Sequence, residues 1–127
     1  MNKAIIGLGS NIDPEGNITK AREFLAGQFT ILSESDFIPT KPVGFREQSD
    51  FINGAVLIET NMTLSPLKDS LKKLENLLGR KESDIPCGPR TIDLDIVVFN
   101  DDVVDNDFYE RDFLKKSVLK LLPELQY

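Results

Sequence analysis

Asp93 and Asp95 stand two residues apart inside an apolar run formed by Ile92, Leu94, Ile96, Val97, Val98 and Phe99. Such a run is expected to form a buried β-strand. The strand's period of two then puts both carboxylates on one face, about 7 Å apart along the backbone. Left unpaired they would repel, and one would be pushed towards protonation. A divalent cation removes the conflict, as do two cations about 3.5–4 Å apart bridged by carboxylate or phosphate oxygens. The plainer alternative is a strand with one wet face, its acids solvated or paired to arginine. Against an exposed strand stands the stretch 96–99, which is apolar on both faces.

The neighbouring residues point to phosphate chemistry. Arg90 lies three residues before Asp93, after the turn-forming Gly88 and Pro89, and Arg80 opens the same loop. Arginine, paired aspartates and a divalent metal are the equipment of phosphoryl-type transfer, which works by positioning and charge neutralisation. An ordinary Arg–Asp surface pair is the competing account. The chain has no histidine, which removes Ser-His-Asp and Cys-His catalysis and the usual zinc sites. Any metal must be hard and oxygen-liganded: Mg²⁺, Mn²⁺ or Ca²⁺. "GLGSN" at 7–11 lacks both the GxxxxGK string of a phosphate loop and the third glycine of GxGxxG, so a strand-to-helix turn explains it better. Asn53, in an apolar strand, is either a buried structural amide or a reader of a heterocycle edge, because an amide presents donor and acceptor side by side. Phe51, Phe108, Tyr109 and Phe113 suit a core better than a stacking platform, although Phe113 follows Arg111 at the entry to the last helix.

Elements must position these groups. Residues 3–9 are expected as a strand and about 14–27 as a helix, with Asp13 as N-cap, Pro14 in the first turn, Ile18, Ala21 and Leu25 on one face, and Gly27 as the stop. A strand is expected over about 29–38, a long polar loop over 39–50, and a strong strand over 51–60 in which Gly54 marks a bulge or a close approach. Leu64, Leu67, Leu71, Leu74 and Leu78 make one stripe of a helix over about 64–78, ended by Gly79. A second long loop covers 80–89, the acid-bearing strand 91–99, a short edge strand the DDVVDND stretch, and a last helix about 110–122. The order is β-α-β-β-α-β-(β)-α. It predicts an α+β, ferredoxin-like sandwich with a mostly antiparallel sheet covered by helices, as a single domain over 1–127.

Composition sets limits on partners. Of 127 residues, 40% are hydrophobic and 28% charged, which favours a folded core over disorder. The net charge of −6 disfavours nucleic acid as the main partner, while a few focused arginines still accommodate a small phosphorylated ligand. No apolar run approaches the roughly 20 residues of a membrane helix, and MNKAIIGLGSN suits a first strand better than a signal peptide. With Cys87 the only cysteine, an internal disulfide is ruled out and a cytoplasmic, monomeric protein is expected.

The string GPRTIDLDIVVF resembles the signature of the 6-hydroxymethyl-7,8-dihydropterin pyrophosphokinase family of folate biosynthesis. AIIGLGSNI, PTKPVGFREQSDFINGAVLIET, LENLLGR and ERDFLKKSVLKLLPEL resemble further segments of that family, in order along nearly the whole chain. The resemblance implies a ferredoxin-like fold. It also implies transfer of pyrophosphate from MgATP to the pterin hydroxymethyl group, with release of AMP. It makes Asp93 and Asp95 ligands of two Mg²⁺ ions. It places Arg80, Arg90 and Arg111 near the triphosphate and Lys72, Glu75 and Ile96 at the nucleotide, with Arg80, Arg90 and Asp95 as the catalytic set. Thr40, Val43, Phe51 and Asn53 match pterin-pocket positions, and Phe113 matches an aromatic that stacks on the pterin with Phe51 opposite. The chain departs from the family pattern at Asp105 and Asn106, where a nucleotide-contacting histidine is usual. It departs also in the acidic turn of the 80–89 loop, at Cys87, and at Lys115, Lys116 and Ser117. These departures motivate an alternative: a pterin- or nucleotide-binding module of the same fold with little or no catalysis. Both long loops are expected to close over ATP.

Overall fold

A computed structural model describes residues 1–41, 49–79 and 91–127. Their elements are β1 (Asn2–Ser10), α1 (Pro14–Gln28), β2 (Thr30–Glu34), β3 (Ile38–Thr40), β4 (Phe51–Thr60), α2 (Leu64–Leu77), β5 (Asp93–Phe99), β6 (Asp102–Val103), α3 (Asp107–Glu110) and α4 (Asp112–Leu121). The strands form one six-stranded sheet in the order β2-β4-β1-β5-β6, with β3 also on β4. Every pairing is antiparallel. This is the expected ferredoxin-like α+β arrangement. No helix of the described residues is long and apolar enough to cross a membrane.

Period-two patterning separates the two faces of the sheet. Ala4, Ile6 and Leu8 of β1, Val56 and Ile58 of β4, and Leu94 and Ile96 of β5 pack against Ile18, Ala21 and Leu25 of α1 and Leu67, Leu71 and Leu74 of α2. On the other face Ile5, Ala55, Leu57, Val97 and Val98 pack against Phe108 of α3 and Leu114 and Val118 of α4. Val97 and Val98 reach the same face because the β1–β5 register shifts between Ile5 and Ile6. That bulge explains how a strand carrying acids on one face continues as an apolar run.

Several boundaries differ from the sequence expectation, each for a physical reason. Asp13 precedes α1 in a left-handed conformation (φ 41°) and makes no side-chain cap bond; its carboxylate lies over Gly16, where a Cβ would come within 2.5 Å of Oδ2. Gly27 does not stop α1, which runs to Gln28 and closes with the Phe29 N–H donating to Leu25 O at 2.8 Å. The stop comes from Phe29, buried in the core as extended chain. Of the strand expected over about 29–38 only Thr30–Glu34 forms β2; β3 begins at Ile38 and runs into the expected loop to Thr40, and both strands pair with β4. Between them Ser35 bonds Ala55 through both its N–H and its Oγ, at 2.9 and 2.8 Å. Gly54 is a close approach and not a bulge: a Cβ there would fall 2.5 Å from the Phe37 ring, while its pairing to Leu8 keeps regular register. GLGSN lies almost wholly inside β1, not in the turn. α2 ends as expected, with Gly79 at φ 101°, where a side chain would be strained. The helix expected from 110 starts at Asp112; Arg111 is extended, and the one-turn α3 precedes it.

Candidate active site

α4 covers only part of its face of the sheet. Among the described residues a cleft lies beyond it, and its floor is built by register. Gly9 sits between Asn53 and Asp93, and Gly7 lies beside Asp95. Gly7 and Gly9 are two residues apart and so share the face of the aspartates. A Cβ at Gly9 would collide with Asn53 Oδ1, and at Gly7 it would meet Val97 and Leu114 at 3.4 and 3.6 Å. The missing Cβ atoms therefore let Asn53 pack over Gly9 beside Asp93, and Leu114 over Gly7 beside Asp95. Asp93 is half-buried and Asp95 exposed, and both pair with β1.

One wall is Thr40, Lys41, Phe51 and Asn53, and the other is Asp105, Asp107, Arg111, Phe113 and Leu114. The Asn53 amide donates to Thr40 Oγ1. Thr40 pairs in register with Phe51, and Asn53 with Ile38, so β3 and β4 hold this wall rigidly. Asn53 is half-buried and lines the cleft, so it is not a sealed core amide. Across the cleft, Asp105 Oδ1 accepts the Asp107 N–H at 2.9 Å, and Arg111 Nε lies 3.7 Å from Asp107 Oδ2.

The sequence-predicted residues divide into three groups. Asp93, Asp95, Thr40, Phe51, Asn53, Arg111 and Phe113 meet in this cleft. Arg80, Arg90 and Val43, with most of both long loops, lie outside the described residues. Lys72, Glu75 and Ile96 are off the cleft. Lys72 is exposed on α2, and Ile96 is packed in the core between the sheet and α1 and α2. Glu75 is buried, and its Oε2 accepts the Leu94 N–H at 2.8 Å. β6 covers β5 only at Val98 and Phe99, and at Leu94 the α2 carboxylate takes the place of a strand. Glu75 thus steadies the backbone between the two aspartates, a role that helix periodicity alone does not reveal.

Sequence reasoning missed Lys41, Asp107, Gly7 and Gly9. The glycines carried a usable signal, because spacing of two in a strand predicts a bare strip on one face. Lys41 and Asp107 carried none, since only the tertiary arrangement brings them to the cleft.

Among the described residues no three His, Cys, Asp or Glu converge on one point, so these residues alone do not enclose a cation. That suits magnesium, which usually takes one or two carboxylates and completes its shell with waters and substrate phosphates. The hard oxygens of Asp93 and Asp95, side by side on the cleft floor, fit it.

Fold and cleft together define an α+β ferredoxin-like domain whose sheet carries an acid-floored, arginine- and phenylalanine-walled cleft suited to metal-assisted transfer of a phosphate-derived group. Residues 5–123 match the family model described as 7,8-dihydro-6-hydroxymethylpterin-pyrophosphokinase (HPPK). The chain is 33% identical to the 2-amino-4-hydroxy-6-hydroxymethyldihydropteridine pyrophosphokinase of Bacillus subtilis, over 98% of this chain and 81% of the relative. It is 39% identical to the enzyme of the same name from Campylobacter jejuni, over 94% and 79%. It is also 33% identical to the folic acid synthesis protein fol1 of Schizosaccharomyces pombe, over 96% of this chain but only 18% of that longer protein. The chain belongs to the 7,8-dihydro-6-hydroxymethylpterin-pyrophosphokinase family. The alternative of a non-catalytic module is not favoured, since relatives matching nearly the full chain are named as pyrophosphokinases.

Proposed function

We propose that the chain transfers pyrophosphate from ATP, with magnesium, to the hydroxymethyl group of 6-hydroxymethyl-7,8-dihydropterin, releasing AMP. The observation that supports this reading is the cleft floor, where Asp93 and Asp95 share one face beside Gly7 and Gly9, within reach of Asn53, Arg111 and Phe113 on the walls. In the reaction the pterin hydroxymethyl oxygen forms a bond to the β-phosphorus. The bond from that phosphorus to the α–β bridging oxygen breaks, and AMP leaves with the bridging oxygen. Asp93 and Asp95 would hold two Mg²⁺ ions, which supply charge neutralisation to the polyphosphate when bound.

The chain's own residues do the rest. Asn53, fixed by Thr40, offers its amide edge to the pterin heterocycle. Phe51 and Phe113 offer ring faces from the two walls. Arg111 faces the phosphates as a planar, permanently charged donor, with Arg80 and Arg90 assigned to the same task. Asp95, the more exposed of the two acids, is the best-placed acceptor for the hydroxyl proton. The substrates are small molecules, and we assign the chain no nucleic-acid or membrane partner.

The test is AMP release from ATP in the presence of the pterin, measured for the wild type and Asp95→Asn. Magnesium-dependent release that falls at least about a hundredfold in the variant supports the reading. Pterin binding with no AMP release in the wild type overturns it.

A further inference from the structure

The second wall of the cleft carries more charge than the transfer chemistry requires. Arg111 pairs with Asp107 at 3.7 Å, their side chains 39% and 37% exposed. The separation exceeds hydrogen-bond length, and a partly exposed pair of this kind holds its arginine weakly. Asp107 is itself held, because Asp105 Oδ1 accepts its N–H at 2.9 Å. Asp105 also lines the cleft, so this wall brings two carboxylates and one guanidinium to a floor that already bears Asp93 and Asp95. A wall meant only to attract a polyanion would not be built this way.

Resting on the assignment of this cleft to ATP, we propose that Asp107, backed by Asp105, is a specificity-determining residue that rejects nucleotide lacking its metal. Coulomb repulsion scales with the product of the charges. At neutral pH free ATP carries about four negative charges and its magnesium complex about two, so a fixed carboxylate near the polyphosphate opposes the free form about twice as strongly. Asp93 and Asp95 lose their repulsion when they hold metal. Asp105 and Asp107 stand outside that pair, on the wall, and keep theirs. Arg111 supplies local attraction, and Asp107 beside it trims that attraction to what the metal-loaded nucleotide alone can satisfy. Metal-free ATP in the cleft would be a dead-end occupant, since the floor acids would have nothing to hold.

The experiment is calorimetric titration of the chain with ATP, without pterin, once with excess magnesium and once with chelator. The ratio of the two dissociation constants is compared among variants. Asp107→Asn should tighten binding of metal-free ATP about three- to tenfold more than that of the magnesium complex. Asp105→Asn should shift the ratio the same way by a smaller factor, and it keeps an Oδ1 to accept the Asp107 N–H. Asp112→Asn removes a charge from α4 off the cleft and should leave the ratio unchanged. Should Asp107→Asn fail to fold by circular dichroism, Asp105→Asn decides, a shifted ratio supporting the proposal and an unshifted one overturning it. Equal weakening of both forms in Asp107→Asn makes Asp107 an aiming residue for Arg111 and overturns it, and so does an equal gain. Wild-type chain that binds no ATP even with magnesium overturns the assignment of the cleft itself, and this inference with it.

Discussion

Gly9 shows how much of the site depends on one absent methyl group. Its missing Cβ is what lets Asn53 Oδ1 lie against β1 while the amide nitrogen donates to Thr40 on β3. Gly9→Ala should therefore displace the Asn53 amide. The expected result is a rise in KM for the pterin of about tenfold or more, with a smaller change in KM for ATP, read from initial rates. Thr40→Val removes the acceptor of the Asn53 amide while keeping the shape, and it should weaken pterin binding in the same direction by a smaller factor. Unchanged pterin affinity in both variants would detach Asn53 from substrate recognition. Arg111→Lys tests a different feature, the planar fork. A lysine keeps the charge but cannot make paired contacts to phosphate oxygens. KM for ATP should rise several-fold, and an unaltered value would mean that Arg111 acts only as a distant charge.

At the scale of elements, the aspartates are positioned by what lies behind β5. Glu75 reaches from α2 to the Leu94 N–H at 2.8 Å, where β6 no longer pairs with the strand. Glu75→Ala leaves a buried donor without this acceptor and should cost about 1–3 kcal/mol of stability. The accompanying sign is faster hydrogen exchange at the Leu94 amide; unchanged exchange there would assign any stability loss to another contact of Glu75. The early end of β2 at Glu34 and the start of β3 at Ile38 are events of the same scale. Ser35 bonds β4 through both backbone and hydroxyl, Phe37 covers Gly54, and β3 then delivers Thr40 to the cleft wall. None of this follows from the weak alternation of residues 29–38, because a break in a strand depends on its partner strand as much as on itself.

For the whole molecule, the cleft exists because the two faces of the sheet are covered unequally. Among the described residues α1 and α2 cover one face, whereas α3 and α4 cover part of the other, where Gly7, Gly9, Asp93 and Asp95 line the cleft. Phe108 holds this second layer. It is fully buried, packs with the apolar residues of β1, β4 and β5, and meets Tyr109 and Tyr127 edge-on at 5.1 and 5.2 Å. Phe108→Ala should destabilise the chain by about 3–5 kcal/mol, measured by denaturant unfolding. Near-wild-type stability would show that α3 contributes little to the fold. The exposed Lys120–Asp36 pair, 3.0 Å apart, joins the same layer to the β2–β3 connection, and its removal should change stability by less than about 1 kcal/mol.

Strand and helix order, the ferredoxin-like class, and the acids at 93 and 95 were legible in the sequence. They depend on local period and on a short motif, and both are properties of neighbouring residues. Helix α2 was legible to within a residue because its leucine stripe is long and regular. The approach of Lys41 and Asp107 to the cleft was not legible, nor was the turning of Glu75 towards the β5 backbone. Those contacts join segments far apart in the chain, and their geometry is set by strand register, by the bulge at Ile5 and Ile6, and by how far α4 extends over the sheet. The sequence by itself determined which chemical groups the protein carries and on which face of each element they stand. Only tertiary packing decided which of them share one cleft, because each strand's neighbours are chosen by burial across the whole sheet.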